Sequence, residues 1–272
     1  MNLSYLIPRL ARHFMPDNLA RALLRRGMII RPGLETSNPD AAAGRYHEIL
    51  EQAGTSLAGR RVMVFGYGGS FALGCLLLRQ GAGHVVLCDK FAPPDDARNA
   101  LLLPEYAEYL VENEGKVNPL PKFITLLQED IRYTRQEAVD IVLTSSVFEH
   151  LDDVEGITRA LASLTQPAGL HLHYIDLRDH FFKYPFEMLA YSKNDWQKWL
   201  NPTSNLNRYR ISDYRRAFEA SFERVEIQVT ASDPAAYEKA RKRIRPEFIS
   251  GDLQVDTATL IRVMAFNPLP AV

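Results

Sequence analysis

Two cysteines in 272 residues, a net charge near zero and no long apolar run set the first limits on this chain. Cys75 and Cys88 fall in an expected core helix and core strand, where a thiol is ordinarily buried and inert. A formal net charge of −1 argues against a general nucleic-acid binder, which would carry a strong basic excess. No apolar stretch approaches the length of a membrane span, and the first residues lack the apolar segment of a secretory signal. Internal repeats and low-complexity tracts are missing as well. What remains is ordinary globular composition, 46% hydrophobic and 24% charged. One substantial α/β domain with insertions, or two small ones, is the expectation, in the cytoplasm and without nucleic acid as partner. Oligomeric state is not readable.

The most informative stretch runs from Arg61 to Phe91. Arg61–Phe65 is a short apolar run rich in strand formers. Gly66-Tyr67-Gly68-Gly69-Ser70 breaks it, and a helix is expected over Phe71–Gln80, ended by Gly81 and Gly83. His84–Cys88 reads as a second buried strand, closed by Asp89. A glycine loop feeding a helix N-terminus offers backbone N–H groups to a ligand, and an acidic residue closing the next strand can grip two ribose hydroxyls. A third glycine is absent: G-x-G-x-x-G requires it at position 71, where Phe71 stands. That absence disfavours a pyrophosphate-bearing dinucleotide and favours a simpler adenosyl ligand.

At these residues the chain resembles the class I S-adenosylmethionine-dependent methyltransferases, whose first motif is a hydrophobic strand running into such a loop, with an acidic end to the second strand. Many members carry an acidic residue two places before the first glycine; this chain has Val64. The resemblance implies a doubly wound α/β fold. Its sheet would have seven mostly parallel strands with an antiparallel last one, a helical N-terminal extension and a lid insertion after strand five. It divides the chain into an extension or cap over 1–48 and a cofactor-binding domain over 49–272, interrupted by the insertion at 181–210. S-adenosylmethionine is the implied cofactor. Gly66, Tyr67, Gly68, Gly69, Ser70, Asp89 and Lys90 are its expected contacts on the first two strands. Asp130, with apolar Ile131 after it, fits the family's post for the adenine amino group. A helix cap is the plainer reading of Asp130.

The other elements follow in order. Leu3–Phe14 and Asn18–Met28 read as amphipathic helices broken at Pro16, and Arg9, Arg12, Arg21, Arg25, Arg26 and Arg31 make this end basic. They form either a solvated face, a cap over the cofactor or a docking surface for an acidic partner. Helices are expected at Gly44–Ala53 and, bent or broken at Pro104, at Ala97–Glu112. Lys122–Leu127 is the third strand. Val139–Ser146 is the fourth and runs into Val147-Phe148-Glu149-His150-Leu151, a close likeness to the family's fourth motif. Ser145 and Ser146 join the expected cofactor set there. Some relatives bind metal here through E-x-x-E-H; Ser146 replaces the first glutamate, so no metal is expected. Gln166–Gly169 reads as a turn, Leu170–Asp176 as strand five, Phe222–Val229 as strand six and Thr257–Phe266 as the last. Between the last two, Pro234–Arg245 reads as a basic helix.

Ligands in open parallel sheets sit beyond the carboxyl ends of the strands. Asp176, Arg178, Asp179 and His180 lie at that end, whereas His171 is at the far end and packs. Methyl transfer to an O–H or N–H acceptor requires alignment and a proton acceptor. His180, oriented by Asp176 or Asp179, and His150 are the candidate bases. His150 reads equally as a hydrogen-bonded structural residue. Arg178, Tyr184, Trp196 and Arg208 are the candidate substrate contacts. Insertion aromatics either fill their own small core or wall the site, where a ring face stabilises a sulfonium by roughly 0.5 to 2 kcal/mol. The leading expectation is a small-molecule O- or N-methyltransferase. The alternatives are cyclisation or aminocarboxypropyl transfer releasing methylthioadenosine, an NAD(P)-dependent oxidoreductase, and an inactive cofactor-binding module.

Overall fold

The strand β1 (Arg61–Phe65) sits at the middle of the molecule, and its side chains divide between two cores. Val62 and Val64 face one side of the sheet and Met63 and Phe65 the other. This is the period-two pleat acting on a run with no polar alternation, as a strand covered on both faces requires. The computed structural model describes residues 2–16, 19, 34–181 and 183–270. The expected helix at 18–28, with Arg21, Arg25, Arg26 and Arg31 around it, lies outside the described residues.

In chain order, α1 (Leu3–His13) and α2 (Pro39–Gln52) precede β1. Then come α3 (Ala72–Arg79), β2 (His84–Cys88), the hairpin β3 (Leu110–Asn113) and β4 (Lys116–Pro119), and β5 (Ile124–Leu127). β6 (Val139–Ser145), α4 (Val154–Ser163), β7 (Thr165–Asp176), α5 (Ile211–Glu219), β8 (Phe222–Ser232), α6 (Pro234–Arg241) and β9 (Ala258–Pro268) complete the chain. The main sheet has the order β5-β2-β1-β6-β7-β9-β8. Its pairs from β5 to β7 are parallel, and β9 runs antiparallel to both β7 and β8. The expected sheet is therefore present strand for strand. Chain order reverses between β1 and β6, so the crevice beyond Phe65 and Ser145 is the topological switch point. No helix among the described residues is long and apolar enough to cross a membrane.

Three expectations need correction. Over residues 97–112 the helix is broken rather than bent, ahead of Pro104, and it ends well short of 112. Two short helices, Asp96–Ala100 and Leu103–Tyr106, give way to the β3–β4 hairpin, turned by Glu114 and Gly115 at φ 52° and 74°. A glutamate in the left-handed region is uncommon, and Glu-Gly lacks the hairpin signature of Asn-Gly. Residues 166–169 are not a turn before a strand: they bulge within β7, whose pairing to β6 shifts between Val139–Thr165 and Ile141–Leu170. Finally, α2 starts at Pro39 rather than Gly44, because Asn38 accepts the Ala41 N–H as a cap and proline suits the first helical turn.

α2 packs Ala42, Ala43, Tyr46 and Leu50 into the core shared by β1 and α3. Tyr46 donates its hydroxyl to Glu35, which is buried. Burial raises the Glu35 carboxyl to about 7, from 4.5. A carboxyl raised on folding stabilises while it is protonated, fully below its unfolded value, and that contribution is lost as pH rises through 7. Thermal stability is expected to fall between pH 5 and 8 by about 3 kcal/mol from this group. Glu35→Gln, which retains the acceptor and removes the charge, should flatten that part of the Tm-versus-pH curve.

Candidate cofactor and acceptor site

The loop after β1 is built on glycines at φ 87° (Gly66) and 85° (Gly69), a region that side chains rarely tolerate. A Cβ at Gly66 would meet Val147 Cγ2 at 2.3 Å, in the loop after β6. One at Gly69 would meet the Pro93 carbonyl oxygen at 2.6 Å. Bare backbone is thus required for the two loops to close on each other across the switch point. Gly66→Ala should lower stability by about 2–3 kcal/mol and abolish ligand-induced stabilisation. Val147→Ala in the same chain should restore part of the loss by removing the clash; differential scanning calorimetry reads both.

Asp89 closes β2 against this loop. Its carboxylate accepts from the Gly68 N–H at 3.2 Å and, through the other oxygen, from Phe91 and Ala92 N–H at 2.8 and 2.9 Å. Lys90 points to Asp130 (3.1 Å), which also caps the turn at Ile131–Tyr133 and takes three hydrogen bonds from Arg132. Those Arg132 bonds hold the Asp130 carboxyl well below the usual carboxylate range. Ile131 is buried beneath. The ends of β1, β2 and β5 therefore share one rim.

Tyr67 turns inward and stacks on Phe71, with 6.4 Å between ring centroids. Phe71 is fully buried, so the missing third glycine is replaced by an aromatic filling the space between α3 and its surroundings. Sequence reasoning missed Asn99, fully buried, which clamps the loop from both sides. Its Nδ2 donates to Gly69 O and its Oδ1 accepts from Phe71 N–H, each at 2.9 Å. A single asparagine in a short helix carries no sequence signal for that task. Arg45 was missed too. It reaches from α2 to donate to Ser145 Oγ at 3.4 Å while lying 3.6 Å above the Tyr174 ring. Next to it Ser146 holds φ 56°, a strained value at the end of β6 that re-aims the chain into the Glu149–His150 turn.

Beyond β6 and β7 the expected bases come together: the His150 and His180 rings lie 4.8 Å apart. The two carboxylates expected to orient His180 each have other partners as well. Asp176 takes the Arg178 backbone N–H, Nε and Nη2. Asp179, fully buried, takes Tyr5 and Arg9 of α1. His150 Nδ1 meets the carbonyls of Ser204 and Asn205 at 2.9 and 2.8 Å. Burial pulls the His150 pKa down, and burial, followed by His150 and the nearby arginines, pulls His180 to about 2. Both rings are neutral at pH 7, and His180 is a weak base there. Their neighbour Glu149 is 3% exposed, and burial, with the Asp176 charge second, raises its carboxyl well above the usual range. A small cavity with room for about one water lies between Glu149, Asp176, Arg178, Asn207 and Tyr209.

Of the other expected substrate contacts, Trp196 belongs to the insertion's own core, while Arg208 braces its loops and also lines the small cavity beside Glu149 and Asp176. Trp196 is buried with Nε1 donating to Leu206 O. Arg208 donates to Met188 O and Tyr191 O and lies against Trp196 and Phe248. A planar guanidinium with several donors suits that bracing of loop carbonyls. Arg210 likewise ties the Leu177, Asp256 and Ala258 carbonyls. Tyr184 is half-buried, edge-on to Tyr5. His171 and His173 are fully buried core residues on Thr165 and Thr144 hydroxyls.

An antiparallel β9 between β7 and β8, a glycine loop after β1 and an acid ending β2 define the fold of the class I S-adenosylmethionine-dependent methyltransferases, and this chain has that fold. No family model matches the sequence, and no curated protein does. Among solved structures, one from Galdieria sulphuraria, assigned as a sarcosine dimethylglycine methyltransferase, superimposes with a TM-score of 0.55 at 14% identity. That match covers 93% of this chain and 98% of the other. The YcgJ protein of Bacillus subtilis matches with a TM-score of 0.50 at 12% identity, over 82% of this chain and 98% of its own.

Proposed function

We propose that this protein is an S-adenosylmethionine-dependent methyltransferase acting on the oxygen or nitrogen of a small molecule. The observation that carries the reading is the Asp89 carboxylate joined to Gly68 N–H at the switch point of a sheet with this topology. The residues present fit an adenosyl group. Gly66 and Gly69 let the loop pack directly on Val147 and Pro93, which fixes its backbone at the switch point where the adenosyl group would lie. A carboxylate faces it from β2, and the ion-paired Asp130 stands on the same rim. When bound, the cofactor supplies an electrophilic methyl on a sulfonium with a neutral leaving group. The chain's part is to orient donor and acceptor and to exclude water. We assign the cofactor side to Gly66–Ser70, Asp89, Lys90, Asp130, Ile131, Ser145 and Ser146. The acceptor side is assigned to Asp176, Arg178 and the two histidines, with Tyr184 at its edge. Residues 1–48 act as its cap and 49–272 as the catalytic domain. Two contacts support the cap: Tyr5 stacks on Phe181 and Tyr191 of the insertion, and Arg9 pairs with Asp179 just before His180.

The test is calorimetric titration with S-adenosylmethionine and with S-adenosylhomocysteine, followed by product analysis against an acceptor panel. Saturable binding of both and release of S-adenosylhomocysteine is the expected result. Val64, fully buried in the sheet, leaves no acid at that position for the methionine amine. This favours one second reading, in which the sulfonium is attacked at another carbon and methylthioadenosine is released.

A further inference from the structure

We propose that Glu149, His150 and His180 form a binding site for a divalent first-row transition metal ion of the zinc type. Each offers one ligand atom, and the three atoms lie within 4.8 Å of one another. Two imidazoles and one carboxylate are a donor set that suits zinc, cobalt or iron better than magnesium or calcium, which prefer oxygen alone.

The sheet makes the cluster. β6 and β7 are parallel neighbours, paired from Ile141–Leu170 to Ser145–Tyr174, so the segments leaving their carboxyl ends emerge side by side. Glu149 and His150 sit on the single turn Phe148–His150 after β6, and His180 lies four residues past the end of β7. Glu149 and His150 are the E-H of the E-x-x-E-H pattern whose first glutamate is Ser146 here; the expectation of no metal rested on that missing ligand, and His180, 30 residues on, would supply the third one instead.

Two observations beyond proximity point to a ligand. Glu149 is 3% exposed, yet neither carboxylate oxygen makes a hydrogen bond. An unpaired buried carboxylate costs several kcal/mol, so such a group is rare unless it is protonated or meets a cation. His150 is already set up as a ligand. Its Nδ1 faces two carbonyl oxygens, so that nitrogen carries the proton and Nε2 presents its lone pair. A backbone carbonyl on the far nitrogen is the usual way a ligating imidazole is oriented. The nearby Arg9 and Arg178 are paired with Asp179 and Asp176, whereas Arg12, which donates to Ser204 Oγ, keeps its positive charge near both imidazoles, so the negative charge that receives the ion is that of Glu149. Metal at about 2.0–2.2 Å from each donor needs donor separations of about 3–3.5 Å, so small side-chain rotations must close the set. Three protein ligands leave at least one position open to water or a bound molecule. If the methyltransferase reading holds, the acceptor is then one with a hydroxyl or carboxylate oxygen to offer the ion.

The experiment uses the untagged full-length protein, stripped with a chelator and titrated with Zn²⁺ by calorimetry, with Co²⁺ absorption as the readout of geometry. One equivalent bound per chain is expected. Glu149→Gln and His180→Ala, each checked for an unchanged circular dichroism spectrum, should weaken it at least ~10-fold. Mg²⁺ should not compete. Absence of saturable Zn²⁺ binding would overturn the proposal, as would wild-type affinity in both variants. Donor binding measured on the stripped protein tests the methyltransferase reading separately, since the loop at Gly66–Ser70 holds none of the three ligands.

Discussion

Asp89→Ala should weaken S-adenosylhomocysteine binding about 100-fold or more while leaving the fold intact. One carboxylate here accepts three backbone N–H groups, one from the glycine loop and two from the turn after β2. Hydrogen bonds to a charged acceptor contribute roughly 1.5–3 kcal/mol each, and about 1.4 kcal/mol is tenfold in affinity. Losing the Gly68 contact loosens the loop, and losing the carboxylate removes the partner offered to a ribose. Asp89 is half-buried, so the freed N–H groups can meet water and global stability should drop little. Asp89→Asn keeps the size and one acceptor oxygen, and should fall between the two. Calorimetry with the demethylated cofactor measures each. Unchanged affinity in Asp89→Ala would remove the basis for the cofactor assignment.

Arg9→Ala carries the largest expected cost in stability. Arg9 is 3% exposed and Asp179 fully buried, so truncating the arginine strands a carboxylate out of reach of water. Breaking a buried pair from one side costs about 3–5 kcal/mol. Tyr5 and the Phe181 N–H still reach Asp179, which places the effect toward the lower end. The loss should concentrate where α1 meets the insertion, because Tyr5 packs on Phe181, Tyr184 and Tyr191 there. Hydrogen exchange should therefore accelerate in 3–13 and 181–200 well before the central sheet. Arg9→Met with Asp179→Asn removes both charges and should recover most of the lost stability; failure to recover would mean that packing rather than charge holds the cap.

Much of the fold was legible because the parallel strands are covered on both faces. β1 and β2 have to be short, uninterrupted apolar runs, and both start and end where composition changes. The hairpin at 110–119 was not, because Leu110, Val111 and Val117 are scattered among polar residues and its turn is Glu-Gly. Within the site, local signals served the cofactor side, where glycine and aspartate act through backbone geometry beside them in sequence. They served the acceptor side poorly. Asp176 and His180 are four residues apart, but the nearer charges are Arg178 for one and, for Asp179, an arginine 170 residues away. Arg208 and Trp196 have the composition of a binding loop, and only packing distinguishes a residue that walls a site from one that fills its own core.

By itself, the sequence determined the short buried strands, the glycine loop and the acid that meets it, since these depend on dihedral freedom and pleat period over a few residues; the arrangement of those strands in the sheet came only with the family resemblance. Tertiary structure alone decided the partners of the charged side chains: Asp179 with Arg9, Asn99 with the loop, and Glu149 beside two histidines with no hydrogen bond of its own. The reason is electrostatic. A buried charge is governed by whatever lies within a few ångströms, and in a folded chain those neighbours come from segments that sequence distance does not reveal.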